Sequence, residues 1–288
     1  LFILIRGAVM QPLFSIVIAN YNYGHFLETA IQSVLSQGMG DQVELIICDA
    51  ASTDNSVDVI GKYEKSLAWW CSEKDRGQSE AFNKGFSHAK GRFLAWLNAD
   101  DILLPGALKA IARAIDRHPQ GRWFVGGSVW GDADLRLTRC FRAHRFSRLR
   151  ADAGCLMVGG PSSFFERSLW EEVGGVDEDL HFVMDIDLWY KFYRNAGQIY
   201  YRTKAYVWAF RIHEDSKMSG PTLDPYSEVS KRKRARLAQE GSLLHSRYGF
   251  GGGGLRQKLG VIFSLSIFDA LAAHRDQHVL LGKDVRAA

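Results

Sequence analysis

Nearly continuous apolar runs alternate with amphipathic segments over the first 130 residues, and few folds accommodate that rhythm. "FSIVIAN" (14–20), "VELIIC" (43–48), "RFLAWL" (92–97) and "WFVGGSV" (123–129) are short, rich in β-branched and aromatic side chains, and bounded by polar residues. Strands buried on both faces read this way. "LAWWC" (67–71) is a shorter candidate of the same kind. Between the runs, Leu27, Ala30, Ile31, Val34 and Leu35 recur at the spacing of one helical face. Ala81, Phe82, Gly85, Phe86 and Ala89 do the same, as do Leu108, Ile111, Ala112 and Ile115. Gly38 stands where the first helix would end. "STDNS" (52–56) supplies caps for a helix containing Val57 and Ile60, and Pro105 suits a first helical turn. The alternation predicts an α/β fold with a largely parallel sheet and helices on both faces.

Such sheets bind ligands beyond the carboxyl ends of their strands. The polar residues at those ends are Asn20 and Tyr21 after the first strand, Asp49 after the second, and Asn98 to Asp101 after "RFLAWL". Their convergence predicts a nucleotide crevice. Asp100 and Asp101 are hard oxygen ligands, suited to Mg2+ or Mn2+. A plain alternative is a capping pair for the helix after Pro105.

Beyond residue 130 the alternation fades. "GGPSSFF" (159–165) reads as a loop, "RSLWEEVGG" (167–175) and "DIDLWYKFYRNAG" (185–197) as helices, and "IYYRTKAYVWAFRIH" (199–213) as strand material. This half is read as a substrate-facing layer on the same domain. The expected boundaries are a leader over 1–12, a nucleotide-binding half over 13–130, an acceptor half over 131–220 and a C-terminal helical extension over 221–288. Met10 is a candidate start, and Gly251 to Gly254 a flexible joint.

Several function classes drop out. The formal net charge of +4 gives little support to nucleic-acid binding. Neither G-x-x-x-x-G-K nor G-x-G-x-x-G occurs after the first strand, which removes the usual glycine-rich phosphate cradles. Cys48, Cys71, Cys140 and Cys155 are scattered, as expected of reduced thiols in a cytosolic protein. The longest apolar stretch, 259–273, has 15 residues and carries Asp269, short of the roughly 18–20 of a spanning helix.

Five segments then stand out in order: "SIVIANYNYGHFLETAIQSVLSQ", "LIICDAASTDNSVDVI", "EKDRGQSEAFNKGF", "AWLNADD" and "GGVDEDLHFVMDIDLWYKF". Together they resemble family 2 glycosyltransferases of the GT-A fold. The resemblance implies an inverting transfer of sugar from a nucleotide-diphosphate sugar, most commonly a UDP-sugar, to a hydroxyl acceptor, with Mn2+ or Mg2+ as cofactor. It implies that Asp49 hydrogen-bonds the nucleobase, with Ala50 where relatives often carry a second acid. Asp100 would lie near the ribose and Asp101 would ligate the metal, Asn98 replacing an acid common in relatives. Asn20, Tyr21, Asp75 and Gln78 join the donor site, and His213 completes the metal shell. An imidazole ligand favours Mn2+ over Mg2+.

Asp185 matches the general base. Inversion needs one carboxylate to take the proton of the attacking hydroxyl, while Asp187 reads as a helix-cap or packing acid. "KRKRAR" (231–236) reads either as a solvated helix face or, with 259–273, as a peripheral contact with anionic lipid. The second reading places the protein at the inner face of a membrane beside a lipid-linked glycan acceptor. A non-catalytic sugar-nucleotide or glycan-binding protein of the same fold is the rival reading.

Overall fold

The computed structural model describes residues 11–156, 158–217, 227–250 and 267–287. The expected leader, the Gly251–Gly254 joint and residues 259–266 of the amphipathic stretch lie wholly or mostly outside these. The first half alternates as its periodicity requires: β1 (Phe14–Asn20), α1 (Gly24–Leu35), β2 (Val43–Asp49), α2 (Ser56–Tyr63), β3 (Trp69–Ser72), α3 (Gln78–Ser87) and β4 (Phe93–Asn98). There follow β5 (Ile102–Leu103), α4 (Ala107–Arg117), β6 (Trp123–Gly131), β7 (Leu137–Phe141), α5 (Arg148–Asp152), β8 (Ser163–Glu166), α6 (Arg167–Glu172) and α7 (Met184–Tyr190). One π-type turn, Lys191–Asn195, extends α7 before β9 (Tyr201–Arg211), α8 (Glu228–Tyr248) and α9 (Ile267–Leu280).

The strands form a single sheet in the order β3-β2-β1-β4-β8-β6-β9-β5, with β7 paired to β6. From β3 to β4 every pairing is parallel. Beyond β4 the sheet is mixed. β8 runs antiparallel to both β4 and β6, while β6 and β9 are parallel. β8 lies where a loop was expected. Its four residues follow a Gly- and Pro-rich approach that reads as a turn, and the open edges of β4 and β6 impose extended structure on it.

Alternate residues of β1 serve opposite faces, as the two-residue strand period dictates. Ile16 and Ile18 pack with Leu27 and Ile31 of α1 and Ile111 of α4. Val17 packs on the other face with Phe82 and Phe86 of α3. On that second face Trp189 of α7 stacks parallel to Trp96 of β4 at 5.5 Å and against Trp123 of β6 at 5.2 Å. Aromatic pairs of this kind hold α7, which carries Asp185, over the strand that leads to the acidic pair.

α3 approaches the sheet closely because Gly85 has no side chain. A Cβ there would lie 2.4 Å from Val17 Cγ1 and 3.2 Å from Cys48 Sγ. Gly85→Ala is therefore expected to destabilise the protein by about 1–3 kcal/mol through overpacking. Urea unfolding should show a lower midpoint at an unchanged slope; an unaltered midpoint would mean that α3 can move outward without loss.

Candidate functional site

The parallel register sets Asn20 opposite Asp49 and Ala19 opposite Asn98, so three strand ends open onto one edge of the sheet. Asn20 Nδ2 donates to Asp49 Oδ1 at 2.6 Å. Ser52 donates to Asp49 through its amide (3.0 Å) and its hydroxyl (2.5 Å), and Ser72 Oγ donates at 2.6 Å. Four donors occupy a carboxylate with about four lone-pair sites. Asp49, the residue expected to bond a base, accepts from all four and so orders the rim of the crevice. Asn20 Oδ1 is buried with no hydrogen-bond partner among the described residues. Tyr21 stands on the rim, 60% exposed.

The acidic pair divides into an inner and an outer member. Asp101 is fully buried; its Oδ1 accepts the Arg211 amide at 2.9 Å and its Oδ2 accepts Asn98 Nδ2 at 2.8 Å. Burial, reinforced by the Asp100 charge beside it, holds its carboxyl well above the usual carboxylate range. Asp100 turns the other way, and its Oδ2 lies 3.1 Å from His213 Nε2. His213 is fixed by rings of Tyr23 (5.6 Å) and Phe26 (4.6 Å), and Tyr23 donates its hydroxyl to the Asp215 carbonyl at 2.7 Å. The expected partners were Asp101 and His213. The residue that meets His213 is Asp100, which lies in the turn after β4, while Asp101 is turned into the protein by the Arg211 amide and Asn98.

Neither aspartate caps a helix: α4 starts at Ala107 behind Gly106, whose φ of 74° suits glycine. Among the described residues no group of three or more His, Cys, Asp or Glu is placed to hold a metal ion. A carboxylate–imidazole pair nevertheless fits Mn2+ or Mg2+ where phosphate oxygens complete the shell, since Mg2+ in particular takes one or two carboxylates plus substrate oxygens.

A chain of hydrogen bonds leads away from Asp101. Asn98 Oδ1 accepts Gln78 Nε2 at 2.7 Å, and Gln78 Oε1 accepts Lys217 Nζ at 3.0 Å. Each amide accepts through oxygen and donates through nitrogen, so the chain runs one way from cation to carboxyl, a cooperative arrangement. Lys217 also donates to the His181 carbonyl. Desolvation lowers Lys217 to about 8 against the opposing pull of Asp185. Asp185, half-buried in the first turn of α7, accepts the Ile186 amide at 2.8 Å. Desolvation lifts it to about 6, with Lys217 drawing it back down.

Gln78 thus sits centrally, and Asp75 does not join the chain. Asp75 Oδ1 accepts the amide of Gly77, whose φ of 135° requires glycine, and so shapes the turn that starts α3. Asp187 proves to be a packing acid. It is fully buried and receives Arg247 Nη1 at 2.6 Å and Tyr248 Oη at 2.7 Å, both from α8. Glu240 of α8 accepts the amides of His181 (3.0 Å), Phe182 (2.6 Å) and Val183 (3.3 Å), immediately before α7. Lys217, Tyr23 and Glu240 escaped the sequence reading. Tyr23 lies within a stretch singled out for other residues and Lys217 four residues past His213, which was the one signal available. The 231–236 cluster lies on α8, mostly exposed, with Arg236 paired to Glu240 at 2.9 Å.

With the geometry in place, similarity to known proteins carries the assignment. The profile of "Glycosyl transferase family 2" matches residues 15–174. An uncharacterized glycosyltransferase of Nostoc sp. is 42% identical over 100 residues, a match covering 34% of this chain and 31% of that relative. This chain therefore spans under a third of that protein's length. Among solved structures, S. aureus TarS 1–349 in complex with UDP-GlcNAc aligns with a TM-score of 0.57 at 16% identity, covering 88% of this chain and 80% of that one. The mannosyltransferase PcManGT of Pyrobaculum calidifontis, in complex with GDP-Man and Mn2+, aligns with a TM-score of 0.55 at 15% identity, covering 92% and 84%. At such identities the likeness concerns the fold, which is GT-A. Family profile, fold and strand-end crevice agree: the chain belongs to glycosyl transferase family 2.

Proposed function

We propose that the crevice moves a sugar, with inversion, from a nucleotide-diphosphate sugar to a hydroxyl acceptor. A divalent cation would be held between Asp100 and His213, with Asp185 as the base. The observation that carries this reading is the connection of two chemistries in one crevice. An outer carboxylate–imidazole pair at 3.1 Å is joined through Asp101, Asn98, Gln78 and Lys217 to the neighbourhood of a half-buried aspartate lifted to about 6.

When bound, the cation neutralises charge on the departing diphosphate. The chain's own residues do the remainder. Asp185, ionised above about pH 6, takes the hydroxyl proton as the acceptor oxygen attacks the anomeric carbon from the face opposite the leaving group. Against the desolvation that lifts it, the Ile186 amide and then the Lys217 charge draw that carboxylate back toward its ordinary range. Asn20, Tyr21, Asp49, Asp75 and Gln78 form the donor rim, and segment 131–220 forms the acceptor side. A UDP-sugar is the donor favoured here: TarS, of the same fold, is seen in complex with UDP-GlcNAc, though PcManGT is seen in complex with GDP-Man. The acceptor is assigned to surface polysaccharide or glycoconjugate assembly. Among the described residues no helix is long and apolar enough to cross a membrane. The exposed basic face of α8 supports a peripheral approach to a lipid-linked glycan.

Asp185→Asn should lower transfer by about 10²–10⁴ while leaving donor affinity unchanged. In the wild type, kcat/KM should fall about tenfold per pH unit below about 6, as the base is protonated. Lys217→Met removes the cation that lowers the Asp185 value, so this acid limb should move to higher pH. Unchanged turnover in Asp185→Asn, or a limb unmoved by Lys217→Met, would remove those residues from the mechanism.

Asp100→Ala should abolish the gain in UDP-GlcNAc affinity that Mn2+ gives over EDTA, read by calorimetry. Asp101→Ala should first lower the urea midpoint, because it strands the Arg211 and Asn98 donors. Metal-dependent donor binding that survives Asp100→Ala would exclude that residue as a ligand.

A further inference from the structure

A groove of about 710 Å3 lies at the far end of β9 from the crevice. It is bordered by Arg113 and Arg117 of α4, Arg145, and Arg202 and Lys204 at the start of β9. His213 follows the other end of that 11-residue strand, about 30 Å away at roughly 3.3 Å per residue. Its size falls within the range of small-molecule sites, about 300–1,000 Å3. No Asp or Glu lines it among the described residues. Five formal positive charges thus gather in one concavity of a chain whose net charge is +4.

A solvated helix face does not account for this. The cations come from three separate segments: a helix, the connection after β7, and a strand. The carbonyl end of α4 favours a cation in its last turn, which explains Arg117 alone. Arg202 is held in place, its Nη1 donating to the Ala143 carbonyl at 2.7 Å. The ring of His118 stacks on Tyr201 at 4.3 Å and 23°, giving the groove a firm aromatic wall. Like charges gathered around one concavity repel one another, and a bound anion offsets the repulsion. Guanidinium groups match the geometry of phosphoryl oxygens through paired donors.

We infer that this groove is a second ligand site, distinct from the crevice, which binds a multiply charged phosphoryl anion. The anion is either a soluble polyphosphate-type compound or the phosphorylated headgroup of a lipid. The test uses the full chain and inorganic tripolyphosphate, titrated by calorimetry in EDTA so that metal-dependent binding in the crevice is silent. The wild type should bind at one site, and Arg113→Gln/Arg117→Gln/Lys204→Gln should weaken that binding at least tenfold. Removing the same three charges from α8, in Lys231→Gln/Arg232→Gln/Lys233→Gln, should change it less than twofold. A groove variant that binds like the wild type, an α8 variant that loses as much, or a wild type that does not bind would each overturn the inference.

Sedimentation with phosphatidylglycerol vesicles, against phosphatidylcholine vesicles, separates the two sources. Co-sedimentation that tripolyphosphate displaces and the groove variant lacks identifies a lipid headgroup. Tripolyphosphate binding without such co-sedimentation identifies a soluble anion.

Discussion

A carboxyl group buried at the end of a strand must be supplied with hydrogen bonds by its surroundings, and Asp101 is such a group. One oxygen draws on the backbone of β9 through the Arg211 amide, the other on β4's own terminus through Asn98. Meeting that demand brings the end of β9 against the end of β4. His213, two residues beyond Arg211, thereby arrives beside Asp100. The outer pair exists because the inner carboxyl is satisfied. The arrangement also propagates: with its nitrogen turned to Asp101, Asn98 presents its oxygen to Gln78, and Gln78 presents its own oxygen to Lys217.

Lys217 and Asp185 share a desolvated environment, and each is displaced toward neutrality, to about 8 and about 6 respectively. Each also restrains the other's displacement through their mutual attraction. Between those two values both groups are charged, so the arrangement has its full electrostatic organisation from about pH 6 to about pH 8. Below that window the carboxylate is lost. Above it the amide chain loses its cationic end, although a neutral amine still donates a hydrogen bond.

The parallel half of the fold was legible because β1, β2 and β4 are buried on both faces and their sequences carry no competing signal. β8 was not, since four residues behind "GGPS" have no periodicity to display. At the site, the strand-end positions of Asn20, Asp49 and Asn98 followed directly from where the apolar runs stop. Assigning the outer acid required the course of the turn after β4, which has no periodicity to read. Lys217 meets Gln78 across 139 residues of sequence. Such a contact is created by the fold and leaves no local mark.

The least legible support comes from α8. Its "KRKRAR" stretch dominates any reading of composition, yet the residues that shape the crevice are Glu240, Arg247 and Tyr248 further along the same helix. Glu240 takes up the amides of His181 and Phe182 before α7 and of Val183 at its N-cap, and so anchors the approach to the helix. Arg247 and Tyr248 both donate to Oδ1 of Asp187, one half-turn past Asp185, and Lys191 lies 3.1 Å from its Oδ2. α7 is thus fixed from the sheet side by tryptophan stacking and from the outside by charge. A boundary at residue 220 separates compositions, whereas the forces that aim Asp185 act across it. Removing α8 would take Arg247 and Tyr248 from the buried Asp187, leaving Lys191 at 3.1 Å as its cation, and would free the turn that presents Asp185.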